Sequence, residues 1–260
     1  MRRIFFLAII LIFSAGLLMT GCSRIGFVAG TGQVISKLYE YKGFSSIDVS
    51  SAFKFEIRQS SNYEVTVSTN EDVFPYLDVH QTGETLIIRL KPGSFTDADM
   101  RVVITMPALN KLAISGASEG NVNGFASANG FQLIESGASQ LKIEMETGKI
   151  QVEISGASML TGTLMAQDAE IHIHGASLCD LAGSSGFGNI EVSGASQLKA
   201  PELLIKDVNA KVSGSSHADI HITRTLNAEV SGASSLGYLG NPILSKINVT
   251  GDSKLIDIEK

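Results

Sequence analysis

From Gly43 onward, apolar and polar residues alternate with a period of two. Phe53, Phe55 and Ile57 are interleaved with Lys54, Glu56 and Arg58, and the same alternation returns at Val65/Val67, Leu77/Val79, Leu86/Ile88/Leu90 and Val102/Ile104/Met106. Short period-two runs predict strands with one buried face. Thr82-Gly83-Glu84 separates two such runs and predicts a hairpin turn. Pro107 ends the last run. Residues 43–110 therefore predict an antiparallel or mixed β unit that closes the N-terminal end of the rest of the fold. Residues 22–42 carry only a weak pattern and read as a membrane-proximal tether.

Beyond residue 110 the chain repeats itself. Ser-Gly-Ala-Ser stands at 115–118, 136–139, 155–158, 193–196 and 231–234, with near copies at 174–177, 213–216 and 250–253. The spacing averages about 19 residues, the first interval being the longest at 21. One place before the marker stand Ile114, Ile154, Ile173, Val192, Val212, Val230 and Val249. Three places before it stand Leu112, Val152, Ile171, Ile190, Ala210, Ala228 and Ile247, and five places after it Leu141, Leu160, Cys179, Leu198, Ala218, Leu236 and Leu255. These columns are inward. Between them lie polar columns: Glu153, His172, Glu191, Lys211, Glu229 and Asn248 two places before the marker, and Gln151, Glu170, Asn189, Asn209, Asn227 and Lys246 four places before it. Segment 131–136 fits the columns poorly.

A period this short leaves no room for a pair of helices, whereas stacked coils of short strands, five or six residues each, fit it. Residues 111–260 therefore predict a parallel β-helix, with neighbouring coils about 4.8 Å apart, right-handed by the crossover rule. With 43–110 it makes one continuous all-β domain. The marker glycines Gly116, Gly137, Gly156, Gly175, Gly194, Gly214, Gly232 and Gly251 suit corners that need a positive φ. The serines beside them suit hydroxyl ladders along the stack, or a binding surface.

The N-terminus has a different grammar. Arg2 and Arg3 precede an apolar stretch from Ile4 to Met19, and Thr20-Gly21-Cys22 comes next. This is the layout of a secretory signal, 1–21. Met-Thr-Gly-Cys resembles the bacterial lipobox, although Met19 replaces its preferred leucine. That resemblance implies cleavage between Gly21 and Cys22 and acyl chains, palmitate among them, on Cys22. Ser23 is not the usual inner-membrane retention residue, which favours the outer membrane of the bacterial envelope. Cys179 is then the other cysteine, a core residue, and no intrachain disulfide is expected.

Composition narrows function mainly by exclusion. Twenty-six glycines, 7% aromatics and no Trp suit tightly turned β structure. A net charge of −6 offers no basic footprint for nucleic acid. Glu144 and Glu146 share a strand face, and Asp97 and Asp99 precede Arg101, but neither pair shows the burial that acid–base work needs. Asp180, Lys199 and Asp219 fall in one column and read as a neutralised ladder rather than a cation cage. His172 and His174, like His217 and His221, lack the converging ligands of a zinc site. No phosphate loop is present, and no Ser-His-Asp set is singled out by spacing. Phe125, Phe131, Phe187 and Tyr238 share no column, which weakens glycan binding by ring stacking. No catalytic residue, metal or cofactor is assigned.

Lys42-Gly43-Phe44-Ser45-Ser46-Ile47, then Met106-Pro107-Ala108-Leu109-Asn110-Lys111-Leu112, then the serial Ser-Gly-Ala-Ser turns together resemble the bacterial family named putative auto-transporter adhesin head GIN domain, over roughly 40–255. The resemblance implies a right-handed β-helix displayed at the cell envelope and brings no catalytic residues. The expectation is a non-enzymatic lipoprotein held to the membrane by its N-terminal lipid and presenting polar columns to a glycan or protein ligand. One alternative is a structural or self-assembling role, with 255–260 as an assembly edge and a second copy as partner. Another is a polysaccharide-active enzyme.

Overall fold

In the computed structural model, residues 27–259 are described. The signal segment, Gly21 and Cys22 lie outside them. The fold is all-β, a parallel solenoid of about eight turns of ~19 residues.

Its regular part consists of strands Gln140–Ile154, Met159–Ile173, Leu178–Val192, Gln197–Val212 and His217–Val230. Each pairs in parallel with the next. The register keeps the sequence columns: Leu141, Leu160, Cys179, Leu198, Ala218, Leu236 and Leu255 lie one above another. So do Val152, Ile171, Ile190, Ala210, Ala228 and Ile247. The coils stack because each inward column buries its aliphatic side chains between those of its neighbours, which removes apolar area from water on every turn.

The strands are longer than the five or six residues expected, at 14 to 16 each. The bend between faces falls inside the strand. At Gly148, Gln167, Gly186 and Lys206 the in–out alternation slips by one residue, and the pairing continues on either side. The marker, by contrast, separates one strand from the next.

The solenoid also starts earlier than the repeat. Ser46–Val49 and Lys54–Gln59 pair in parallel with Lys111–Ile114 and Glu119–Ser127, so the first coil lies inside the region read from sequence as a closing unit. On its far side the parallel pairs continue to Thr85–Leu90 and Arg101–Met106. The direction then reverses: Leu77–Thr82 forms an antiparallel hairpin with Thr85–Leu90, and Glu64–Asn70 is antiparallel to Arg101–Met106. Phe44, Phe53, Val65, Val67, Leu86, Ile88, Val102, Ile104, Met106 and Leu109 form the core of this cap and merge with the solenoid core.

Residues 27–42 are not a free tether. Phe27–Ala29 pairs with Ser94–Thr96, and Val34–Tyr39 lies antiparallel on Glu64–Asn70. Between them, the amides of Thr31 and Gly32 donate to Asp72 at 3.0 and 3.1 Å. The Asn70 side chain donates to the Gly32 carbonyl at 2.8 Å. The sequence does not betray this strand because it is an edge: its first five residues are all exposed, so no buried face imposes a period.

Candidate functional site

The strand before each corner exposes the two polar columns on one face of the rod. Their side chains form a chain of contacts across coils. Gln151 donates to Glu170 at 3.0 Å, and Lys149 lies 3.3 Å from the same carboxylate. His172 sits between Glu170 and Glu191 at 3.4 and 3.7 Å, and Lys211 reaches Glu191 at 3.6 Å. Farther along, Asn227 donates to Asn209 at 2.8 Å. Hydrogen bonds from Gln151 and Lys149 hold the Glu170 carboxyl below its ordinary range. Two grooves run over this face. One, of about 290 Å³, is lined by Gln151, Glu153, Glu170, His172 and His174. The other, of about 610 Å³, is lined by Asn189, Asn209, Lys211, Asn227, Glu229 and Asn248. Amides, carboxylates and an ammonium repeated at one-coil intervals supply both donors and acceptors to a hydroxyl-rich polymer.

A second flank differs in character. Ala126, Glu146, Met165 and Ser184 line a groove of about 660 Å³, and Met165 and Leu204 are exposed beside it. Glu144 and Glu146 both face solvent there. Asp99 does not pair with Asp97 for chemistry; it holds Arg101 through two hydrogen bonds of 2.8 and 2.9 Å.

The marker residues are architectural. Gly116, Gly137, Gly156, Gly175, Gly194, Gly214, Gly232 and Gly251 have φ of 73 to 82°. Seven of these corners accept a hydrogen bond from the next coil, as in Ala157 N to Gly137 O at 2.7 Å. The serines that close the first seven markers face inward: Ser118, Ser139, Ser158, Ser177, Ser196, Ser216 and Ser234 are buried. Their hydroxyls are used locally, as in Ser118 to Ser115 O and Ser158 to Ser155 O, both 2.9 Å. That row is not available as a binding surface. Cys179 lies wholly inside, its thiol pushed far up by burial and by the nearby Glu135 and Asp180.

Sequence spacing missed one constellation. His217 Nδ1 lies 2.6 Å from Ser235 Oγ, and its Nε2 lies 2.9 Å from Asp219. Ser235 is hidden among the many turn serines, and only the register His217 opposite Ser235 brings it there. Acyl transfer also needs free donors for an oxyanion. The Ser235 amide is already given to Ser216 O at 3.0 Å, and the strand's remaining amides belong to the ladder. The set therefore reads as cross-strand hydrogen bonding. Asp180, Lys199 and Asp219 do align in register, with Asp219 turned to His217. Among the described residues, no three His, Cys, Asp or Glu side chains converge on a metal position.

A family model described as putative auto-transporter adhesin, head GIN domain, matches residues 43–242. The chain belongs to this family. Solved structures share the fold of this GIN-domain chain. A putative adhesin from Parabacteroides distasonis superposes with a TM-score of 0.80 at 20% identity, over 89% of this chain and 100% of that one. A putative adhesin from Parabacteroides merdae gives 0.77 at 19%, over 89% and 99%. A putative lipid binding protein from Parabacteroides distasonis gives 0.79 at 16%, over 89% and 100%. At these identities the likeness establishes the fold. No curated protein matches the chain.

Proposed function

We propose that this GIN-domain protein is a non-enzymatic, lipid-anchored rod of the bacterial cell envelope that binds a hydroxyl-rich surface polymer on its ladder of polar columns. The observation that carries the reading is the 610 Å³ groove over Asn189, Asn209, Lys211, Asn227 and Glu229, which repeats the same donor–acceptor chemistry on consecutive coils. A polymer with a regular repeat meets such a ladder many times over, so weak single contacts add up. The adhesin names of the family and of two structural neighbours support a surface role. Anchoring through Cys22 rests on the lipobox resemblance.

The test is a glycan array probed with the chain from Ser23 onward, which contains every described residue. Binding to a defined class of glycan is expected, and Asn209→Ala with Lys211→Ala is expected to weaken it about tenfold, in line with loss of two or three polar contacts. Full-strength binding by that double variant would remove the groove from consideration. Array-wide silence would turn attention to the second reading, assembly, which is favoured by a separate observation: Ile243, Leu244, Ile247 and Val249 of the last coil are exposed.

A further inference from the structure

The first described residues form an apolar rim on the cap. Phe27 is 69% exposed, and the edge strand leaves Val34 45%, Ile35 40% and Leu38 59% exposed. Among the described residues this strand has a ladder partner on one side only, Glu64–Asn70. Phe27 and the strand are held close together. Gly30, three residues after Phe27, packs so tightly on Asn70 that a Cβ would stand 2.8 Å from its side-chain oxygen, and Asn70 is the register partner of Val34. On the other face of the strand, Tyr39 stacks on Tyr41 at 6.0 Å, with the Lys37 ammonium 4.9 Å over the Tyr39 ring. Glu40 and Glu71 are exposed in the same region, so the rim is not a cationic patch.

Apolar tips with tyrosine and lysine on the same strand are the composition that settles at the boundary between lipid headgroups and acyl chains. The sequence adds the source of that lipid. Only four residues separate Cys22 from Phe27, so the five steps between them reach at most roughly 17 Å even fully extended. We propose that the cap seats Phe27, Val34 and Leu38 in the phospholipid interface, a second membrane contact beside the lipid on Cys22. The proposal rests on the lipid-anchored reading of the protein. A rim so placed gives the rod an oriented base and points the opposite end away from the bilayer.

The chain contains no Trp, so a single introduced indole reports its own surroundings. Phe27→Trp, Leu38→Trp and Leu204→Trp are purified as the lipoprotein and reconstituted into phosphatidylcholine vesicles with and without brominated acyl chains. Tryptophan at 27 and 38 is expected to be quenched roughly twofold or more by bromine, while tryptophan at 204, on the rod's flank, is not. Leu38→Trp as insensitive as Leu204→Trp would overturn the proposal. So would a blue shift of Leu38→Trp that grows with protein concentration in lipid-free solution, which would mean a second copy covers the rim. Palmitate labelling of the unaltered chain and of Cys22→Ala tests the anchor separately. If neither is labelled the anchor fails, and the chain from Ser23 added to the same vesicles decides the rim: quenching supports it and absence of quenching overturns it.

Discussion

At position 135 a carboxylate occupies a place that isoleucine fills in the coils on either side. Glu135 lies in register with Ile114 on one neighbouring strand and with Ile154 on the other, and it is fully buried. Ser139 Oγ donates to one of its oxygens at 3.1 Å, while the other has no partner. Burial raises its pKa from 4.5 to about 7. A raised carboxyl pKa means the fold prefers the protonated form. The resulting stability is complete below about pH 4.5 and is lost as pH rises through about 7. The gap corresponds to about 3 kcal/mol. In urea titrations, the midpoint of the natural chain is expected to fall between pH 4.5 and 7.5, whereas Glu135→Gln keeps most of its midpoint and is the more stable of the two at pH 8. Parallel pH profiles for both would show that the buried carboxyl does not control this window. The residue is readable in one sense only. Counting back from the marker Ser136 lands on 135, but a search for apolar columns stops at Ile134, which the structure turns outward. Hydrophobic pattern alone has no means of placing a charge in a core.

For single elements, the corner shows what pattern can carry. The marker glycine is visible because two demands coincide there, and both are backbone demands that a sequence records faithfully. Gly156 has φ 78°, and a Cβ on it would lie 2.3 Å from the Gly137 carbonyl oxygen of the coil below. Gly83, in the hairpin of the cap, has φ 57° and nothing within 4 Å of such a Cβ. Gly83→Ala therefore meets only the left-handed penalty of about 1 kcal/mol. Gly156→Ala adds a backbone collision that cannot be relieved without spreading two coils, so a loss of at least about 3 kcal/mol is expected. Thermal melts of the two variants check this. Similar melting temperatures for both would mean the stack yields more easily than its spacing suggests. The strand edges are less legible. Bends inside continuous strands look like separate strands to a period-two reading. The strand Val34–Tyr39 leaves no period at all because it buries no face.

Across the whole molecule, the two ends of the rod are unlike. One end is closed by antiparallel strands, which present no parallel ladder for another solenoid to extend. At the other, Ile243–Val249 and Lys254–Asp257 form the last described coil, and Leu244, Ile247 and Val249, which continue buried positions of the coil before, are exposed. The outermost strand of the cap runs antiparallel and offers no parallel edge for head-to-tail stacking, so assembly through the exposed end is expected as a two-fold pair. Sedimentation of the chain from Ser23 is expected to show a dimer that Leu244→Lys with Ile247→Lys returns to monomer. A monomer at every concentration would leave the polar face as the working surface. This asymmetry is beyond the repeat pattern, which reads every coil alike and says nothing about which neighbour is missing.

Each regular coil presents the next with the same strand edge, in the same register, at the same corner. Length in such a molecule is a matter of counting. An in-frame duplication of about nineteen codons inserts one more rung of about 4.8 Å between two rungs that already fit it, and leaves base and tip unaltered. A lineage carrying this fold can thus lengthen or shorten its reach from the surface by recombination between turns that share the same corner and the same inward columns.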